Sequence, residues 1–259
     1  MSNGENTELA AGRRAKIRDI LRRQTVARVD ELSEELGVSA ATIRRDLADL
    51  AAHGQIRRVH GGAVGVPGSL DELVFEDKAG ILAPEKQQIA QQAATFIKPG
   101  DSIFLDGGST VLGLARGLAD MRSVTVLTNS LRVVMALSRG GPRIIMTGGE
   151  FRPLSQTLVG SMTGGMIERF HVDRAFMGTI GLTDAEGLTT TDPREAYTKE
   201  QVIRQARQVI LLADSTKIGK VSFARFGSPD DVDVLVTDKG GPRAELRKLR
   251  KRKMRIVCV

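Results

Sequence analysis

The stretch that most constrains this chain is VDELSEELGVSAATIRRDLADL, residues 29–50, whose caps and apolar spacing specify two short amphipathic helices joined by a tight turn. Leu32 and Leu36 give the first helix a buried face, and Gly37 is the residue expected to end it. Ser39 is placed to N-cap a second helix whose apolar positions, Ile43, Leu47 and Leu50, are spaced by four and three. At about 100° per residue, that stripe leaves Ala41, Arg45 and Ala48 pointing away from the core, with Thr42 and Arg44 on the flanks. Small residues and arginines on the outer face of a short capped helix suit insertion into a DNA major groove. The pair therefore reads as a helix-turn-helix with its recognition helix second.

The flanks extend the same reading. A helix over roughly 12–24 places Ile17, Ile20 and Leu21 at helical spacing, and residues 55–64 form a short hairpin bent at Gly61-Gly62. Three helices and a basic hairpin make a winged helix-turn-helix, with the wing over the phosphate backbone. The candidate DNA contacts are Ser39, Ala41, Thr42, Arg44 and Arg45 on the helix, and Arg57, Arg58 and His60 on the wing. A solvated strand face is the plain alternative for the two wing arginines, and His60 equally suits a hydrogen bond within the hairpin. Residues 1–11 read as a flexible tail, 12–64 as the DNA-binding domain, 65–71 (opening on GVPGS) as a linker, and 72–259 as a second, larger domain.

Charge is informative through its distribution. The chain carries +7, but residues 1–66 contribute about +2, residues 67–242 about −2, and residues 243–259 the full +7. Overall basicity thus says less about DNA than the helix pattern does. Aromatic residues are only 3%, with no Trp, which argues against holding nucleic acid by base stacking. The single cysteine, Cys258, lies in the apolar run IVCV and reads as a small buried hydrophobe; one cysteine permits no internal disulfide and no zinc cluster. The polar N-terminus and the lack of a long apolar run point to a cytoplasmic protein with no membrane association. The tail from 243 reads as a final helix with a solvated basic face, then a last strand.

Beyond the linker, apolar runs (SIFL, VTVL, RIIM, RAFMG, VILLA, VDVLV, RIVCV) alternate with helical segments, the pattern of a largely parallel sheet covered on both faces. In such a sheet ligands bind beyond the carboxyl ends of the strands. Polar and glycine residues recur there: Asp106-Gly107-Gly108-Ser109-Thr110, Thr128-Asn129-Ser130, Gly148-Gly149 and Asp214-Ser215-Thr216-Lys217. Two of these loops open helices, where free N–H groups and the helix dipole favour an anion. Together they describe a pocket for a small phosphorylated, hydroxyl-rich molecule, although turn formation alone accounts for any one loop. Glu195 and Lys199, four apart on one helix, read from spacing as an exposed pair ahead of the alternative that they reach into the pocket. No ATP-type phosphate loop, metal cluster, catalytic group or cofactor motif stands out.

These segments resemble the DeoR family of bacterial transcriptional regulators. The resemblance runs from about Arg13 to Asp238 and rests on VSAATIRRDLADLAAHGQIRRVHGGA, then on EK at 85–86, LDGGST, TNS, GG, GLTT, Glu195 with Lys199, and DSTK. It implies an α/β effector domain similar to ribose-phosphate isomerases and CoA-transferase-like folds. It also implies effector contacts at Asp106, Gly107, Gly108, Ser109, Thr110, Thr128, Asn129, Ser130 and Lys217, with Glu195, Lys199 and Asp214 nearby. Ser109 stands where the family usually has Thr, which keeps the hydroxyl. The expected function is a repressor of a sugar or polyol operon, acting as a homodimer or homotetramer on a double-stranded operator under control of a phosphorylated sugar or polyol. The rival is an isomerase-like enzyme carrying a DNA-binding appendage.

Overall fold

The computed structural model describes residues 2–66, 72 and 75–259, with the side chains of 2–9 and 76 left out of the description. The chain divides into two compact units, Met1–Ile81 and Leu82–Val259. Most of the expected linker, residues 67–71, lies outside the described residues.

The first unit runs α1 (Ser2–Gln24), β1 (Val26–Arg28), α2 (Val29–Leu36), α3 (Ala40–Ala52), β2 (Ile56–Val59), β3 (Gly62–Gly65) and α4 (Phe75–Gly80). Its core joins Ile17, Ile20 and Leu21 of α1 to Leu32 of α2 and to Ile43, Leu47 and Leu50 of α3, the apolar stripes expected from spacing. Gly37 adopts φ 65° and closes α2 by donating its N–H to Glu34 and Ser33. The Ser39 hydroxyl accepts from Thr42 N at 3.2 Å, so α3 has its expected cap.

Three features differ from expectation. Helical backbone begins at Ser2, inside the stretch read as a tail, because the helix formers of TELAAGRRAK continue the first helix backwards. The wing has three strands in the order β1-β3-β2, since Val26 pairs with Val64 and Arg58 with Ala63. At Gly62 a Cβ would stand 2.3 Å from the Ala27 carbonyl, so only glycine lets β1 and β3 approach this closely. Finally, α4 belongs to the first unit: Asp77 accepts from Arg14 at 2.6 Å and from Arg18 at 3.2 Å, both on α1. A three-residue strand and an isolated acidic turn carry too little pattern for sequence periodicity to reveal them.

The second unit continues with α5 (Ala83–Ala94), β4 (Ser102–Leu105), α6 (Ser109–Gly117), β5 (Thr125–Thr128), α7 (Leu131–Leu137), β6 (Arg143–Met146), β7 (Glu150–Arg152), β8 (Thr157–Val159) and α8 (Ser161–Ile167). It ends with β9 (Arg174–Met177), β10 (Gly181–Thr183), β11 (Gly187–Thr190), α9 (Pro193–Gln205), β12 (Val209–Leu212), β13 (Ala224–Gly227), β14 (Val234–Thr237), α10 (Arg243–Leu249) and β15 (Arg255–Cys258). Seven strands form one parallel sheet in the order β15-β14-β12-β9-β4-β5-β6. Helices α5, α6 and α7 cover one face and α8, α9 and α10 the other, as the buried clusters on the two sides show. Burial on both faces is why the central strands read as continuous apolar runs. The antiparallel hairpin β7-β8 and the small sheet β10-β11-β13 lacked such runs and are additions to the expected pattern.

Among the described residues no helix is long and apolar enough to cross a membrane, and no group of His, Cys, Asp or Glu is arranged to hold a metal ion. Cys258, expected to be buried, is a half-buried free thiol, because β15 is an edge strand.

Candidate functional site

The outer face of α3 is built by its cap and its stripe. With Ile43, Leu47 and Leu50 in the core, Ser39, Ala41, Arg44 and Arg45 lie exposed and Thr42 half-buried. Arg57, Arg58 and His60 are exposed on the wing. None of these arginines meets a carboxylate among the described residues, which leaves their guanidinium groups available to phosphate or base edges. The helix is anchored from behind by residues the sequence reading passed over. Asp46, 2% exposed, receives two hydrogen bonds from Arg13, the one from Nη2 at 3.1 Å, and Asp49 accepts from Arg14 at 3.3 Å. Asp46, directly after TIRR, thus fixes the helix on α1 instead of facing outward, and half-exposed Asp49 adds a second tie to α1.

In the second unit the strand-end loops converge. After β4, Asp106 is 3% exposed and its Oδ2 accepts from Gly178 N at 2.9 Å and from the Lys199 ammonium. Lys199 reaches in from α9, also donates to the Gly178 carbonyl at 3.1 Å, and sits 5.3 Å from the centre of the Phe226 ring. The pair Glu195–Lys199, read from spacing as exposed, is therefore neither exposed nor a pair. Glu195 is buried, accepting from Arg152 at 3.1 Å and from the Thr190 hydroxyl at 2.9 Å. Arg152 comes from β7 and also binds Asp192 at 3.0 Å. Burial pushes the Asp192 carboxyl up, but hydrogen bonds from Arg194 and the charge of Arg152 outweigh it and bring it down to about 2.

The other loops close around this pair. A Cβ at Gly107 would stand 2.0 Å from the Thr157 methyl, so the loop backbone lies directly against β8. Gly108 precedes α6, with half-buried Ser109 and buried Thr110 in its first turn. Thr128 donates to the Leu105 carbonyl at 2.6 Å and accepts from Ser130 N, while Ser130 caps α7 by accepting from Val133 N. Both hydroxyls therefore shape the loop. Asn129 differs: its Nδ2 donates to Leu158 O at 3.0 Å, whereas its buried Oδ1 has no partner. A buried acceptor without a donor calls for one from a ligand or solvent. After β12, Asp214 accepts from Thr216 N at 3.0 Å and lies 3.8 Å from the buried Lys86 ammonium, with Lys217 half-buried at the end of the turn.

Asp106, Lys199 and the β4 and β5 loops are thus brought together, while Glu195 and Asp214 are each joined to a cation of their own. Sequence reasoning missed Arg152 and Asp192, which sit in short polar segments without periodicity; Thr190 and Lys86 were visible only within the GLTT and EK of the family resemblance, and Gly178 only as the end of the apolar run RAFMG. As chemistry, each acidic candidate is already committed to a cation, and none stands free to take a proton from a substrate.

Comparison with known proteins gives the same division of the chain. Residues 13–66 match the DeoR-like helix-turn-helix domain and residues 82–239 the DeoR C terminal sensor domain. The uncharacterized HTH-type transcriptional regulator YulB of Bacillus subtilis is 34% identical, covering 97% of each chain. The lactose phosphotransferase system repressor of Streptococcus mutans is 35% identical over 86% of this chain and 90% of its own. The glycerol-3-phosphate regulon repressor of Escherichia coli is 33% identical over 86% of this chain and 89% of its own.

Proposed function

The chain belongs to the DeoR family of transcriptional regulators, and from that premise we propose that it represses a sugar or polyol operon under control of a phosphorylated sugar or polyol bound at the strand ends. The observation that carries the reading is the Asp106–Lys199 ion pair beneath the glycine loop that opens α6. Lys199 is a desolvated cation beside free helix N–H groups, which suits a phosphate oxygen. Asp106 and the unpartnered Oδ1 of Asn129 are acceptors, which suits the hydroxyls of a sugar or polyol. Gly107, Gly108, Ser109, Thr110, Thr128 and Ser130 form the walls, and Lys217, Asp214 and Glu195 with its Arg152 partner complete the neighbourhood. The relatives named for lactose and glycerol-3-phosphate systems support a ligand of this class.

On the DNA side, Ser39, Ala41, Thr42, Arg44 and Arg45 enter the major groove, and Arg57, Arg58 and His60 follow the backbone. One short helix reads too few base pairs to find an operator, so two or four copies act together on repeated half-sites. The ligand controls affinity by binding the DNA-competent arrangement less well than the incompetent one.

A titration of an operator fragment in the presence of glycerol phosphate and a panel of hexose and pentose phosphates tests the proposal. One of them should weaken operator binding and raise the unfolding temperature, stabilising the protein by about 2.7 kcal/mol at a hundredfold excess over Kd. If no phosphorylated sugar or polyol moves either quantity, the effector assignment fails.

A further inference from the structure

The basic segment 243–259, with eight Lys/Arg against one Asp/Glu, belongs neither to the DNA-binding face nor to the effector pocket. Helix α10 sorts its cations. Lys248 pairs with Glu245 at 3.1 Å, and Arg252, just beyond the helix, with Asp184 at 2.7 Å. Arg243, Arg247 and Arg250, spaced by four and three, lie on one face and meet no carboxylate among the described residues. With Lys239 from the loop after β14, they line a cavity of about 330 Å³ between α10 and the carboxyl ends of β14 and β15, with Leu246 and Cys258 also on its wall.

Exposed cations gathered around one concavity repel each other only weakly through water, but their fields add there and attract an anion. Among the described residues no acidic side chain lines the cavity. The carboxylates next to lining residues in sequence are engaged elsewhere: Asp238 accepts from Ser215 N at 2.6 Å and Gly240 N at 2.9 Å, and Glu245 accepts from Asp184 N at 2.7 Å and Lys248 at 3.1 Å. Thr237, the register partner of Cys258 on the same face of the sheet, is fully buried with an unpartnered hydroxyl. The carboxyl ends of the strands are also the edge at which α/β sheets bind ligands.

We propose that this cavity is a second anion site, separate from the effector pocket, that takes a compact polyphosphate such as the pyrophosphate group of a metabolite. A single phosphate carries about −2 near neutral pH, so four cations match two linked phosphates better than one. The volume lies at the lower end of the roughly 300–1,000 Å³ of small-molecule pockets, which fits a pyrophosphate head and little more. Guanidinium groups bind phosphate oxygens two at a time, and three of the four cations are arginines. The site does not depend on the effector reading.

Calorimetric titration of the full chain with pyrophosphate tests it. The expected result is saturable binding that weakens with salt and falls by about 100-fold or more in Arg243→Gln/Arg247→Gln, two exposed positions where glutamine preserves the helix. Lys199→Gln, which takes the cation out of the effector pocket, should leave it intact under conditions where the variant is folded. Absence of saturable binding, or equal affinity in the double variant, overturns the proposal. Loss in Lys199→Gln instead places the anion in the effector pocket and also overturns it. If the unmodified chain ignores pyrophosphate but the double variant loses non-specific duplex binding, the patch is a DNA-backbone surface and the anion site is refuted.

Discussion

The arginines of the recognition face and the cations of the strand-end pocket carry the same charge in opposite circumstances. Arg44, Arg45, Arg57 and Arg58 stand in solvent without acidic partners among the described residues. Lys86, Arg152 and Lys199 are largely withdrawn from water, each beside a carboxylate. A solvated cation costs the fold nothing and waits for a phosphate backbone. A buried one must be paired, so it holds the pocket's shape and becomes a ligand contact only by exchanging partners. The contrast teaches that substitutions on the first surface should cost binding alone, whereas those in the pocket should cost stability as well.

The largest effect should come from Asp77→Ala, which tests whether the first unit too depends on a buried pair. It strands Arg18, 1% exposed, and should cost about 3–5 kcal/mol in urea unfolding, while Arg18→Met/Asp77→Leu should recover most of the loss. Lys199→Met comes next, leaving Asp106 without its cation. We expect a loss of about 3 kcal/mol together with loss of the effector response; full stability would break the comparison.

Asp192 sharpens it through pH. Its folded value of about 2 lies below the ordinary 3.8, so its contribution is complete above about pH 4 and disappears as pH falls through 2. Near neutral pH that contribution is about 2 kcal/mol, which Asp192→Asn should remove while flattening the acid limb of the stability profile. Arg45→Ala should lose about 1–3 kcal/mol of operator binding with unchanged unfolding temperature; a uniform loss on all sequences would mean phosphate contact only. Ser39→Ala is the smallest, about 1 kcal/mol of stability from the lost cap, read by thermal unfolding.

Features whose causes lie within a few residues were legible before any fold was known. The Ser39 cap, the Gly37 stop, the stripe Ile43-Leu47-Leu50 and the apolar runs of the parallel sheet depend on neighbours three or four positions away, or on a strand's own burial, and each stands in the structure as read. The four strand-end loops were legible for a similar reason, since turns and helix starts have local chemistry. The choice of ion-pair partners came from long-range packing. Asp106 and Lys199 are 93 positions apart, Arg152 and Glu195 are 43, and Arg18 and Asp77 are 59, and no local rule links them. Spacing favoured Glu195 with Lys199, because neighbours on one helix are all that spacing can see. Burial overruled it by turning each toward a different countercharge. Which cations stay free, on α3, on the wing and around the α10 cavity, followed from the same long-range pairing.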